Sequence, residues 1–389
     1  MRMNSSFLSN CNRNIKKFDN HFYGCDFKMR KIGLLLGGFM LIVLLGCNQA
    51  VVNEEQPTHL SHHRMDFSMR TPINITIFDL ECNNDEGDGE RCELLNEAFE
   101  LIFDLERRLT VNDVGGEVEL INEMAGIEPV VVETDTFYLI DRAIYYSIYS
   151  DKLFNATIGP LTSLWNIHLE GARRPSDDEI IDILPLLDPT RVILDAEAST
   201  VFLEEVGMRL DLGAIAKGFM ADEVADLFVR NGIGRASIVI GGEVLVIGDH
   251  PTGRPFNIGI NSPFPSEHGR GIVGSLPAYN QAIVTSGTYN RYLIVEDTET
   301  IYHHIFDSRT GFPFDNDIVS ITVVADTGLL GEVYTTIIFG MGLEAGMAYV
   351  EEHPEIEVML ITRDKMIHLS SGLRDVFELR MDDFEIYTQ

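Results

Sequence analysis

The chain is short of positive charge. Of its 389 residues 29 are Lys or Arg against 61 Asp or Glu, a formal net charge of −32. So acidic a surface repels phosphate backbones, which excludes nucleic-acid binding as its main task. It also repels anionic lipid headgroups, so any hold on a membrane has to be covalent. A long hydrophobic run is missing too: the most apolar stretch, residues 32–46, falls short of the about 20 residues that a membrane-crossing helix needs. The GxxxxGK[ST] order of a P-loop is absent, and so is the spacing of an EF-hand loop. No short repeat is visible, and strands and helices do not alternate strictly, which argues for α+β over a doubly wound α/β sheet. Hydrophobic content of 45% and charged content of 23% are ordinary for a folded chain and exclude disorder and collagen-like architectures.

What the N-terminus does contain is a signal pattern. Reading from Met29, Arg30 and Lys31 precede the apolar stretch Ile32–Gly46, which has the length of a secretory h-region. It ends Leu44-Leu45-Gly46-Cys47, which resembles the bacterial lipobox, where the chain is cut before the cysteine and the thiol is lipidated. An uncleaved anchor helix with a chance cysteine is the alternative. The expected division is a leader and signal over 1–46 with its true start at Met29, the lipidated Cys47 and a flexible tether over 47–66, and a folded domain over 67–389. His59, His62 and His63 fall in the tether, read as linker residues rather than metal ligands. With Cys11 and Cys25 removed, Cys82 and Cys92 remain, an even pair free to form a disulfide outside the membrane or to stay as two unrelated thiols. The acids between them read as a solvated turn rather than a calcium loop.

Along the domain, Ile73, Ile75 and Ile77 alternate as in a strand, and Leu94, Leu95, Ala98, Leu101, Ile102, Leu105 and Leu109 follow helical spacing. A second helix is expected over Thr136–Asp151, then a Gly-Pro loop carrying Trp165, a short helix within Pro175–Leu187 and a hairpin of Arg191–Leu194 with Val201–Leu203. Strands are expected at Ser237–Ile240, Val244–Ile247, Phe256–Ile260, Gln281–Ser286, Tyr292–Val295, Ile318–Val324 and Val358–Ile361, and one helix over Glu332–Glu351.

Three segments hold residues that could carry chemistry. In Asp211-Leu212-Gly213-Ala214-Ile215-Ala216-Lys217, a glycine-containing turn opens a helix whose first N–H groups favour anionic oxygens, with Lys217 in reach of a phosphate; an ordinary helix start has the same look. On the helix that follows Gly331, Glu332, Thr335 and Thr336 share a face, a hard-oxygen set suited to magnesium with phosphate, though Glu and Thr also cap helices. In His303-His304-Ile305-Phe306-Asp307-Ser308-Arg309-Thr310-Gly311, a histidine base with an orienting carboxylate competes with a plain strand-to-turn junction. Gly241-Gly242 and the turn from Ser286 to Tyr292 are weaker signals.

Taken in this order and behind a lipoprotein signal, these motifs resemble the ApbE family of FAD:protein FMN transferases, from Met69 to about Leu373. The resemblance implies an α+β fold with T-fold-like mixed sheets and packed helices. It implies FAD as substrate and magnesium as cofactor, with the FMN half moved to a Ser or Thr hydroxyl of a partner flavoprotein and AMP released. Residue by residue, it assigns the metal to the carbonyl of Ala214 with Glu332, Thr335 and Thr336. It assigns FAD contacts to Met69, Leu153, Phe154, Asn155, Asp211, Lys217 and Phe306, and the acceptor's proton to His304 and Asp307. A lipid anchor on Cys47 would put the protein on the extracytoplasmic face of the cell membrane. The chain departs from the family in having Glu332 for Asp, Ser308 for Pro, Glu243 where Asn or Asp is common, and Val111 where an aromatic often flanks the flavin. FAD pyrophosphatase activity and flavin binding without catalysis are the competing outcomes.

Overall fold

The computed structural model describes residues 61–388 apart from 81–88, 112–114, 168, 266–268, 270 and 296–299. Met29, the signal, Cys47 and Cys82 lie outside the described residues, as does the Cys92 side chain, and with them the lipidation and disulfide readings.

Strands β1 (Ser61–Ser68) and β2 (Thr71–Phe78) form a hairpin, followed by helices α1 (Gly89–Leu109) and α2 (Glu117–Glu123), the short β3 (Val130–Val131), and helices α3 (Thr134–Tyr149), α4 (Gly159–Trp165) and α5 (Asp177–Ile183). The hairpin β4 (Val192–Asp195) with β5 (Thr200–Leu203) leads to α6 (Ala216–Arg230). Five strands follow: β6 (Ala236–Ile240), β7 (Glu243–Ile247), β8 (Phe256–Asn261), β9 (Ile272–Ala278) and β10 (Ala282–Gly287). After the pairs β11 (Tyr292–Val295) with β12 (Thr300–His303) and β13 (Phe306–Asp307) with β14 (Phe312–Pro313) comes β15 (Ile318–Ala325). Helices α7 (Gly328–Met341) and α8 (Leu343–Glu351) precede β16 (Ile356–Thr362), β17 (Met366–Leu369), β18 (Glu378–Leu379) and β19 (Glu385–Ile386).

The scaffold is a nine-stranded sheet in the order β1-β2-β6-β7-β10-β15-β16-β17-β19. Its neighbours pair antiparallel except β17 with β19. Alternation decides which face each residue serves. Ile73, Ile75 and Ile77 are fully buried on the face under α1, α6 and α7. At about 25 cal/mol per Å² of apolar surface removed from water, each contributes about 2 kcal/mol. On β7, Leu245 and Ile247 join that core, while Val244 and Val246 turn to a second core under the three-stranded sheet β18-β9-β8. The two-residue turn Gly241-Gly242 sets this register, pairing Ile240 with Glu243.

Helices α6 and α7 cross at glycine on glycine. A Cβ on Gly218 would collide with the Gly328 carbonyl and come within 2.6 Å of the Leu329 nitrogen, so no larger residue lets the helices approach so closely. The start of α7 is capped from α6: the Asp222 carboxylate accepts the N–H groups of Gly328 (2.7 Å) and Leu329 (2.9 Å).

Three expectations are corrected. Residues 61–66 are not tether but part of β1, which pairs along its whole length with β2 and lays Arg64 over the Phe99 ring. The segment after Gly159-Pro160 is a helix, α4, since proline is well placed in a first turn. The single helix over Glu332–Glu351 is two: α7 starts earlier, where Thr327 caps Leu330 at 3.2 Å, and Gly342 breaks it with a φ of 80°.

Candidate active site

The turn before α6 is built by Asp211. Its backbone N–H donates to the Ala156 carbonyl (2.9 Å), and its carboxylate accepts the Gly213 N–H and the Thr162 hydroxyl, both at 2.9 Å. This leaves Gly213 and Ala214 exposed, with Ile215 buried below them. Lys217 reaches back from the first turn of α6. Its Nζ lies 3.4 Å from the Gly213 carbonyl and forms an ion pair with Oε1 of Glu332 on α7.

Glu332 is only 6% exposed, and its Oε2 is buried with no hydrogen-bond partner among the described residues. Such an oxygen calls for a ligand, because a desolvated carboxylate without partners is costly. The Thr335 hydroxyl donates to the Glu332 carbonyl (2.7 Å) and accepts from Ser286 on β10 (3.0 Å), which leaves it one lone pair. Thr336, one residue on, is half-buried. Among the described residues no cluster of three or more His, Cys, Asp or Glu side chains is gathered for a metal. One carboxylate with hydroxyls and exposed turn carbonyls is a hard-oxygen set, and it fits magnesium rather than zinc.

Two further acids stand beside it. Glu243, first residue of β7, is fully buried under Gly328, and neither of its oxygens has a partner among the described residues. Burial pushes its pKa well above the ordinary range, Glu332 and Asp222 add to the rise, and Lys217 opposes it. Asp222 is pushed up to about 7, by burial first, against the pull of the N–H groups of Leu329 and Gly328. Sequence reading passed over both as site residues. The signal for Glu243 was its phase: two and four residues before Leu245 and Ile247, it had to point inward.

The histidine segment separates into a scaffold and an exposed part. His303 is buried, accepts the Ile305 N–H at Nδ1 (3.3 Å) and donates from Nε2 to the Phe314 carbonyl (3.0 Å). Burial lowers its pKa to about 4, so it is neutral. His304 is half-buried, and its Nδ1–H donates to the Arg291 carbonyl (3.1 Å). Asp307 does not orient this ring. Its carboxylate is engaged by Arg309, through the backbone N–H (3.0 Å), Nε (2.8 Å) and Nη2 (3.0 Å), because the turn folds Arg309 back on it.

The remaining expected FAD contacts are mostly packed away. Phe306 lies against Trp165 with ring centres 5.5 Å apart, and Phe154 is buried in the main core. Asn155 has its amide filled: Nδ2 donates to Leu187 O (2.9 Å) and Ser308 Oγ (3.1 Å), and Oδ1 accepts from Thr157 N (3.0 Å) and Thr157 Oγ1 (2.8 Å). Ser308 in turn donates to Lys152 O at 2.9 Å, tying the turn to the loop before Leu153. Leu153 and Val111 are half-buried against the main core. Met69 sits in the β1–β2 turn with a φ of 50°, its N–H held by Glu106 (2.6 Å), and the neighbouring Thr71 touches Gly241. The structure therefore gathers Asp211, Ala214, Lys217, Glu332, Thr335 and Thr336. Phe154, Asn155, Phe306 and Asp307 form the frame beside them. A cavity of about 650 Å³ between α1, α3 and α6 shares no residue with this cluster, and its Arg108 is spent on Asp104 and Asp135.

Similar known proteins include FAD:protein FMN transferases. The FAD:protein FMN transferase of Klebsiella pneumoniae (strain 342) is 40% identical over 306 residues, 79% of this chain and 90% of that protein. The FAD:protein FMN transferase of Treponema pallidum (strain Nichols) is 33% identical over 296 residues, 72% of this chain and 80% of the relative. Among solved structures, the flavin transferase ApbE from Vibrio cholerae superposes with a TM-score of 0.69 at 25% identity, over 82% of this chain and 99% of that one. Fold and relatives thus define an α+β enzyme of the transferase class. The sequence pattern of the ApbE family matches residues 69–360, and the chain belongs to that family.

Proposed function

We propose that this enzyme moves the FMN half of FAD onto a Ser or Thr hydroxyl of a partner flavoprotein, with magnesium, and releases AMP. The names of its relatives support the flavin chemistry. The observation that carries the reading is Lys217 beside the unpartnered oxygen of Glu332, under the open turn at Gly213-Ala214.

The reaction forms a bond from the acceptor oxygen to the FMN phosphorus and breaks the bond from that phosphorus to the bridging oxygen, which leaves with AMP. Magnesium held by the Ala214 carbonyl, Glu332, Thr335 and Thr336 would neutralise charge on the pyrophosphate. Lys217 supplies a second positive charge, and the N-terminal N–H groups of α6 receive phosphate oxygens. His304 takes the hydroxyl proton, an assistance worth roughly 10²–10⁴-fold. Asp211 holds the turn open, and Asp307 holds the following turn through Arg309. On a protein this acidic the local positive field has to come from Lys217 and the cation. In the same reading, lipid on Cys47 fixes the enzyme to the extracytoplasmic face of the membrane.

The test is to incubate the purified protein with FAD and Mg²⁺, with and without a peptide bearing an acceptor hydroxyl. AMP release that depends on peptide, with flavin bound to it on a denaturing gel, is the expected result. Equal release of FMN and AMP without peptide would make the enzyme a pyrophosphatase, and no AMP would make it a flavin-binding protein.

A further inference from the structure

Lys217 stands where a cation would stand. Its ammonium touches Oε1 of Glu332 and lies 3.4 Å from the Gly213 carbonyl, one residue from the carbonyl expected to hold magnesium. A lysine in the first turn of a helix works against the helix dipole, which favours negative charge there. What compensates is Glu332, whose burial would leave an uncompensated charge without a cationic partner. A divalent cation competes for the same carboxylate with twice the charge and a preference for hard oxygens. The unpartnered Oε2 and the exposed turn give it a way in. The two positive charges repel each other at that distance.

We propose that Lys217 is the occupant of the cation seat in the metal-free enzyme, and that cation binding drives its ammonium off Glu332 and toward the substrate's phosphates. This rests on the reading that Glu332 holds a cation. The exchange orders the site. Until the seat is filled Lys217 is neutralised by Glu332 and attracts no phosphate, and once it is filled the released ammonium does. Cation and pyrophosphate then bind cooperatively, each raising the affinity for the other by the same factor.

The experiment uses the purified full chain and Mn²⁺ as probe, without FAD. Free Mn²⁺ is read by electron paramagnetic resonance, and acetylation of each lysine by mass spectrometry over the same titration. Acetylation of Lys217 should rise several-fold in step with Mn²⁺ occupancy, while Lys152 and Lys365 stay unchanged. Lys217→Met should bind Mn²⁺ about tenfold more tightly, the size of an ordinary coupling. Mn²⁺ binding with Lys217 acetylation unchanged would overturn the exchange, since the lysine would then have stayed on Glu332. That arm uses the unsubstituted protein and stands whether or not Lys217→Met folds. If Mn²⁺ does not bind the unsubstituted protein, or binds Glu332→Gln equally well, the cation reading itself fails and the exchange with it.

Discussion

Replacing Gly218 by alanine tests the contact on which the site is hung. The added Cβ would meet the carbonyl of Gly328 well inside van der Waals distance and the Leu329 nitrogen at 2.6 Å, and none of these is the movable end of a side chain. Carbon atoms rest at about 3.5–4.0 Å, so α6 and α7 would have to part by about 1 Å. Alanine in a helix interior gains about 1 kcal/mol over glycine, while overpacking costs about 1–3 kcal/mol. The net loss is about 0–2 kcal/mol, at most a fall in Tm of a few degrees in a chain of this size. Function should suffer more than stability. Lys217 precedes the substituted residue and Glu332 lies one turn beyond its contact, so a 1 Å displacement separates the pair and should cost about 10²-fold in kcat/KM for AMP release. Scanning calorimetry and a coupled AMP assay measure the two. A Gly218→Ala enzyme with unchanged Tm and unchanged turnover would refute the claim that this crossing positions the site.

Further expectations concern charge and hydrogen bonding. The folded pKa of Asp222 is raised from 3.8 to about 7, so the fold favours its protonated form; its contribution is fully present below about pH 4 and lost as pH rises through 7. Urea midpoints should therefore fall over that window, and Asp222→Asn should flatten the slope. Glu243 is raised in the same direction and should add to the loss of stability as pH rises, and Glu243→Gln should remove its share of that slope. Ser308→Ala removes both the donor to Lys152 O and the acceptor for Asn155, and chemical denaturation should show a loss of about 1–3 kcal/mol. Glu332→Ala should abolish magnesium-dependent AMP release with far-ultraviolet circular dichroism unchanged; full activity would remove Glu332 from the site.

Elements that bury one face were legible in the sequence. Ile73, Ile75 and Ile77 announce β2, and the leucine spacing from Leu94 announces α1, because alternation or helical period is the only way to bury those side chains. Strand β1 was not legible. It is an edge strand whose partly buried positions are the polar His62 and Arg64, the latter lying over the Phe99 ring, while Met65, Asp66 and Phe67 are exposed. Gly342 escaped notice because the apolar period runs across it, and only the backbone shows the break. At the site, Asp211, Lys217 and Glu332 were visible as motif residues, since helix starts have a local grammar. Glu243 showed only as a departure from the family pattern and by its inward phase on β7, and Asp222 not at all. That a charged side chain is buried depends on what packs over it, here Gly328, some hundred residues away in the chain.

The tight link between β6 and β7 has a consequence for how this enzyme can vary. Surface connections usually tolerate inserted residues, and this one would not. A single residue added to Gly241-Gly242 that shifted the phase of β7 would exchange its two faces. Glu243 would then swing into the apolar layer beneath the small sheet, and Val244 would take its place under Gly328. One such slip would strip the acid from the site and bury it in the core. Descendants of this sequence should therefore change length in other loops and keep this hairpin at two residues.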